Sequence, residues 1–110
     1  MKIILGLILA LSLNAGFLKG TDLAKYKTEY EKMYKKNKKI DFYKVGAYVY
    51  YILGVFNTMA DSVICVKRGT TEKEILDTVG KYIDDHPEQL NNFAQDLVIK
   101  SLMNAFPCVN

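Results

Sequence analysis

The chain has 110 residues, half of them apolar, with 15 basic against 12 acidic side chains, one histidine and two cysteines. That is enough for one hydrophobic core but not for a two-domain enzyme, too little net charge for a polyelectrolyte, and too few ligands for a four-ligand zinc site. A quarter of the residues are charged and only two are proline, a folded rather than a disordered composition.

Met1-Lys2 is followed by an uncharged run from Ile3 to Leu13 and then by Asn14-Ala15-Gly16. A basic start, an apolar middle and small residues at the end form the pattern of a Sec-type export signal, here residues 1–15 with cleavage near Ala15. Eleven residues of helix reach roughly 16 Å against about 30 Å of hydrocarbon, so stable membrane insertion is not expected. A periplasmic protein is the expectation.

Four helical segments follow, and no stretch has the alternating period of a strand, so the predicted fold is all-α, a compact bundle of about four helices. The first runs from Asp22 to Lys36, with Leu23, Tyr26, Tyr30, Met33 and Tyr34 on one face. The second starts at Asp41, a good N-cap, and is read as far as Ile64. Its spacing places Val45, Val49, Ile52, Phe56, Met59 and Val63 in the core, and Tyr48, Tyr51 and Thr58 on a second, polar-tipped stripe. That stripe suits either a seam covered by the first helix or a dimer contact. A third stripe carries Gly46 and Gly54, where missing side chains would let another backbone pack closely.

After the turn Lys67-Arg68-Gly69, Thr71-Glu72-Lys73-Glu74 has the spacing of a capping box, and a third helix follows with Ile75, Leu76, Val79, Tyr82 and Ile83 on its apolar face. Pro87 is read as the first residue of a fourth helix that carries Leu90, Phe93, Ala94, Leu97, Val98, Leu102 and Phe106 and ends at Pro107. Export would place Cys65 and Cys108 in an oxidising compartment, where one internal disulfide is available and would stabilise the fold by about 4 kcal/mol. The competing reading is a reactive thiolate, which needs an activating base in a chain with a single histidine.

Charge is uneven. Residues 16–44 form a basic segment with nine lysines and four acids, whereas residues 45–110 carry five bases and eight acids. A lysine-rich helical face is ordinarily solvated, and an exported protein rarely meets nucleic acid, so no nucleic-acid partner is expected. Asp84, Asp85, His86 and Glu88 form a second polar turn. His86 is read as the residue that satisfies free N–H groups where the next helix starts, and the acids as solvated or partner-facing, because adjacent side chains do not converge on one point. No catalytic set, metal cluster or phosphate loop is present, so neither an enzyme nor a cofactor is expected.

Several words of the sequence then fall in a familiar order. Tyr51-Ile52-Leu53-Gly54-Val55 is followed by Cys65 and a Thr-initiated helix. Next come Tyr82-Ile83-Asp84-Asp85-His86-Pro87-Glu88, Ala94-Gln95-Asp96-Leu97-Val98 and the closing Ala105-Phe106-Pro107-Cys108. Residues 46–108 thereby resemble the Rap/Tai immunity-protein family, periplasmic antidotes to peptidoglycan amidases delivered by type VI secretion. The resemblance implies a helical immunity domain, taken here as residues 45–110, often homodimeric, that binds and blocks a secreted amidase. Residues 20–44 carry none of the family's words, and Asn57 stands where the family commonly has an acid. On that reading Lys67, Arg68 and Gly69, or Asp84, Asp85, His86 and Glu88, are the candidate partner-binding turns. The alternative is a small periplasmic acid-stress chaperone of helical, single-disulfide type.

Overall fold

The computed structural model describes residues 17–36 and 39–109; the predicted export signal lies outside them. Four α-helices make up the described chain: α1 (Gly20–Lys32), α2 (Phe42–Met59), α3 (Glu72–Asp85) and α4 (Ala94–Ala105). A single 3-10 turn, Pro87–Gln89, lies between α3 and α4. Among the described residues there is no strand, only isolated bridges such as Lys19 with Phe93 and Ile64 with Pro107.

The core is built where apolar stripes of all four helices meet. Leu23 and Tyr30 of α1, Val45, Tyr48 and Ile52 of α2, Ile75, Leu76, Val79 and Ile83 of α3, and Ala94, Leu97, Val98 and Leu102 of α4 are all buried. The buried face of α2 is thus rotated from the one its spacing predicts. Tyr48 is fully buried, while Val49, Phe56, Met59 and Val63 are only half-buried. The reason is a tertiary hydrogen bond: the Tyr48 hydroxyl donates to the Leu76 carbonyl of α3 at 2.7 Å, so a large apolar ring goes inside with its polar end satisfied.

Three element boundaries also differ from the sequence reading. α1 stops at Lys32 and passes into turns, with Lys36 in the left-handed region at φ 56°. α2 stops at Met59, because Asp61 turns left-handed at φ 65° and Ile64 is drawn away to pair with Pro107. The fourth predicted helix is two pieces. Its break receives the start of α1: Gly20 and Thr21 donate their N–H groups to Asn92 and Leu90 carbonyls at 2.9 and 3.0 Å, and Ala94 N–H donates to Leu18 at 2.8 Å. Donors at the start of α1 that have no partner within the helix are met by another element, at the cost of interrupting the helix that supplies the carbonyls. The approach is close enough that a Cβ on Gly20 would lie 2.8 Å from Leu90 Cα, a role for Gly20 that no local pattern signals.

The predicted disulfide is present. Cys65 and Cys108 are joined, with Cα atoms 4.9 Å apart, and Cys65 N–H donates to the Phe106 carbonyl at 2.9 Å. The covalent link therefore ties the segment after α2 to the end of α4.

Candidate functional site

The turn Lys67-Arg68-Gly69 is held from both sides. Two residues before it, Cys65 is anchored by its disulfide and its backbone pairing. Two residues after Gly69, Thr71 caps α3 by accepting the Glu74 N–H at 3.1 Å; only this half of the predicted capping box forms. Between the anchors, Thr70 donates both its hydroxyl and its N–H to the Lys67 carbonyl, at 2.7 and 3.1 Å. Gly69 has φ 92°, a region that glycine occupies without strain. Lys67, Arg68 and Gly69 are all exposed, and among the described residues neither cation has an acidic partner.

The second candidate turn lies at the other end of α3, whose 14 residues separate the two by about 20 Å. Here the charges are engaged within the chain. Asp84 pairs with Lys27 of α1 and Asp85 with Lys81, each at 2.8 Å. The His86 ring lies 4.0 Å from the Tyr82 ring, centroid to centroid, and its Nδ1 is 3.0 Å from a Glu88 carboxylate oxygen. His86 thus does not cap backbone N–H groups as predicted, because the carboxylate two residues on is the nearer partner and no side-chain cap forms there. The Lys81 hydrogen bond holds the Asp85 carboxyl below its usual pKa. Glu88 is lowered by its own backbone N–H and then by His86.

Lys27 is the residue that sequence reasoning missed. It is buried on the apolar stripe between Leu23 and Tyr30, and its amine also pairs with Glu31 at 2.8 Å. Burial opposes its charge, but hydrogen bonds to Asp84 and Glu31 outweigh this and raise its pKa above the ordinary lysine value. The available signal was a lysine standing four residues after Leu23 on an otherwise apolar face. Beside it, Tyr30 donates to Asp77 at 3.1 Å and stacks 4.9 Å from Tyr48. Gly80 passes so close that a Cβ there would lie 3.1 Å from the Tyr48 hydroxyl. Burial raises the pKa of both tyrosines.

The three residues of the polar-tipped α2 stripe do not stay together. Tyr48 lies in the seam with α1, whereas Tyr51 and Thr58 line a shallow groove with Tyr50, Gly54, Val55, Met59 and Gln95. Within the described chain nothing packs on Gly46 or Gly54; a Cβ at either would meet open space. α2 turns both glycines away from the other described elements, so no backbone of the described chain approaches them. The close approaches occur at Gly20 and Gly80 instead.

No group of three or more potential metal ligands occurs among the described residues, and no helix there is long and apolar enough to cross a membrane. What the arrangement offers is shape and charge: a stiff basic turn at one end of α3, a self-paired acidic turn at the other, and a groove beside α2. A family model described as Rap1a immunity proteins matches residues 19–108, and so takes in α1 as well as the segment whose sequence words resemble the family. No curated protein matches the chain.

Proposed function

Because the chain belongs to the Rap1a immunity proteins, a family directed against secreted effectors, we propose that its effector is a peptidoglycan amidase delivered by type VI secretion. On this reading the chain blocks the amidase by occlusion in the periplasm. The observation that carries the choice of contact is the Lys67-Arg68-Gly69 turn, anchored on both flanks and exposing two cations with no acidic partner among the described residues. A turn already held in shape loses little entropy on docking, and its charges are available to an acidic cleft. The Asp84–Glu88 turn fits less well, since its carboxylates would have to leave Lys27 and Lys81 first. No residue of the turn is asked to do chemistry; filling the cleft keeps the peptide substrate out.

The export signal expected in residues 1–15 would agree with this reading, and the disulfide supports it, since such bonds persist in oxidising compartments. The groove lined by Tyr51, Gly54 and Thr58 is the proposed contact for a second copy of the chain, with Gly46 and Gly54 admitting a helix from the partner.

The test is coexpression of the chain with an amidase encoded beside it, followed by copurification and assay of peptidoglycan cleavage. The pair is expected to copurify with cleavage suppressed, and charge reversal at Lys67 and Arg68 is expected to weaken the complex by at least about tenfold. Cleavage unaffected by the wild-type chain would overturn the amidase reading. Retained affinity in the charge-reversed variant, with loss on changing Asp84 and Glu88, would move the contact to the other turn.

A further inference from the structure

Residues 33–36 and 39–44, the described basic and aromatic part of the hairpin that α1 and α2 form, take no part in the proposed effector contact. Of nine large apolar side chains exposed among the described residues, four fall within this hairpin: Met33 at 45%, Tyr34 at 55%, Phe42 at 69% and Tyr43 at 82% exposure. Lys35, Lys36 and Lys39 are exposed between them, with no acidic partner among the described residues. Lys44, in the first turn of α2, pairs with Asp41 at 4.0 Å, and Lys73 of α3 lies 4.6 Å from the Tyr34 ring. The nearby acids are engaged: Asp41 caps α2, Glu29 accepts from Lys32 and from the Asp41 N–H, and Asp77 pairs with Lys73.

We infer that this hairpin docks the protein on an anionic phospholipid surface. Lysine ammonium groups are drawn to lipid phosphates and lose that attraction in salt. Tyrosine, phenylalanine and methionine between them have apolar bodies suited to the boundary between headgroups and acyl chains. An acidic protein would also meet the charge, but it would leave four apolar side chains needing a shaped partner. A fluid interface covers them without one.

The experiment is cosedimentation of the full chain with vesicles of phosphatidylcholine alone and of phosphatidylcholine containing phosphatidylglycerol. The variants are K35E/K36E and F42S/Y43S, all at exposed positions that leave the core intact. A leader, if retained, adds the same affinity to every variant, so the comparison reads the hairpin. The wild type is expected to favour anionic over neutral vesicles, to be released by about 0.5 M salt, and to lose at least about tenfold of its anionic preference in either variant. Equal partition onto both kinds of vesicle, no partition onto either, or variants that bind as the wild type does would each overturn the inference. Suppression of the amidase is expected to be the same in wild type and variants, which separates this surface from the effector contact.

Discussion

The two turns that end α3 are built by opposite means. Lys67-Arg68-Gly69 is fixed through its backbone and flanks, by a disulfide on one side, a helix cap on the other and a left-handed glycine between them, while its charged side chains point to solvent. The Asp84–Glu88 turn is fixed through its side chains, which are tied to Lys27, Lys81 and each other. A turn held by its backbone keeps its charges for a partner; a turn held by its side chains has already used them. The difference teaches that rigidity alone does not mark a docking site, and that the place where the rigidity comes from does.

The strongest way to break the comparison is to remove the disulfide with Cys65→Ser and Cys108→Ser. Loss of about 4 kcal/mol of stability is expected in a denaturant titration, with helix content retained where the fold survives. Hydrogen exchange should rise at residues 66–70 more than at 84–88, and effector affinity should fall more than helix content does. Unchanged affinity would remove the disulfide's role in stiffening the first turn.

Gly20→Ala probes the opposite end. The added methyl meets the Leu90 backbone, which cannot rotate away as a flexible side chain would, so a destabilisation of about 1–3 kcal/mol is expected. Exchange should rise at residues 90–94, where α1 docks, and not at 66–70.

A smaller effect is expected from Lys27→Met, which frees Asp84 from its cross-helix pair. The variant should lose about 1 kcal/mol, a modest figure because Asp84 is largely exposed. The pH dependence has a definite sign. The raised pKa values of Lys27, Tyr30 and Tyr48 mean that the folded state holds their protons more tightly than the unfolded chain does. Their contribution is complete below about pH 10, where the unfolded groups are protonated, and is lost as the pH climbs from there through the raised values. Thermal unfolding followed from pH 8 to 11 should show stability falling above about pH 10, and the loss should be shallower in Lys27→Met.

The smallest effect is expected for Asp85→Asn. It breaks one exposed pair with Lys81, so the thermal midpoint should not move measurably and effector binding should not change. A tenfold loss of affinity there would make the second turn the contact and reverse the comparison.

Much of the architecture was legible because it depends on neighbours close in the chain. Asp41 caps α2 by accepting from the Tyr43 and Lys44 N–H groups, as its position before a helical run suggests. Thr71 caps α3, and the apolar residues Ile75, Leu76, Val79 and Ile83 are buried as their spacing predicts. Lys27 and Gly80 were not legible as parts of a site. A lysine on an apolar stripe is settled only when Asp84 arrives from another helix, and a glycine becomes necessary only when the Tyr48 hydroxyl comes within 3.1 Å of where its Cβ would be.

By itself the amino-acid order determined four helices, two of their caps, the one available pairing of cysteines and the family's words from Tyr51 to Cys108. These follow from backbone hydrogen bonding within a turn or two, from side-chain period, and from there being only two thiols. Tertiary structure alone decided that α2 ends at Met59, that Tyr48 rather than Val49 faces inward, and that the last helix breaks to receive α1. Each of those outcomes satisfies a polar group with a partner distant in the chain: the Cys65 N–H with the Phe106 carbonyl, the Tyr48 hydroxyl with Leu76, and the Gly20 N–H with Asn92. Helical period says which residues share a face, but not which face finds a partner for its buried donors and acceptors, and that second condition is met only in three dimensions.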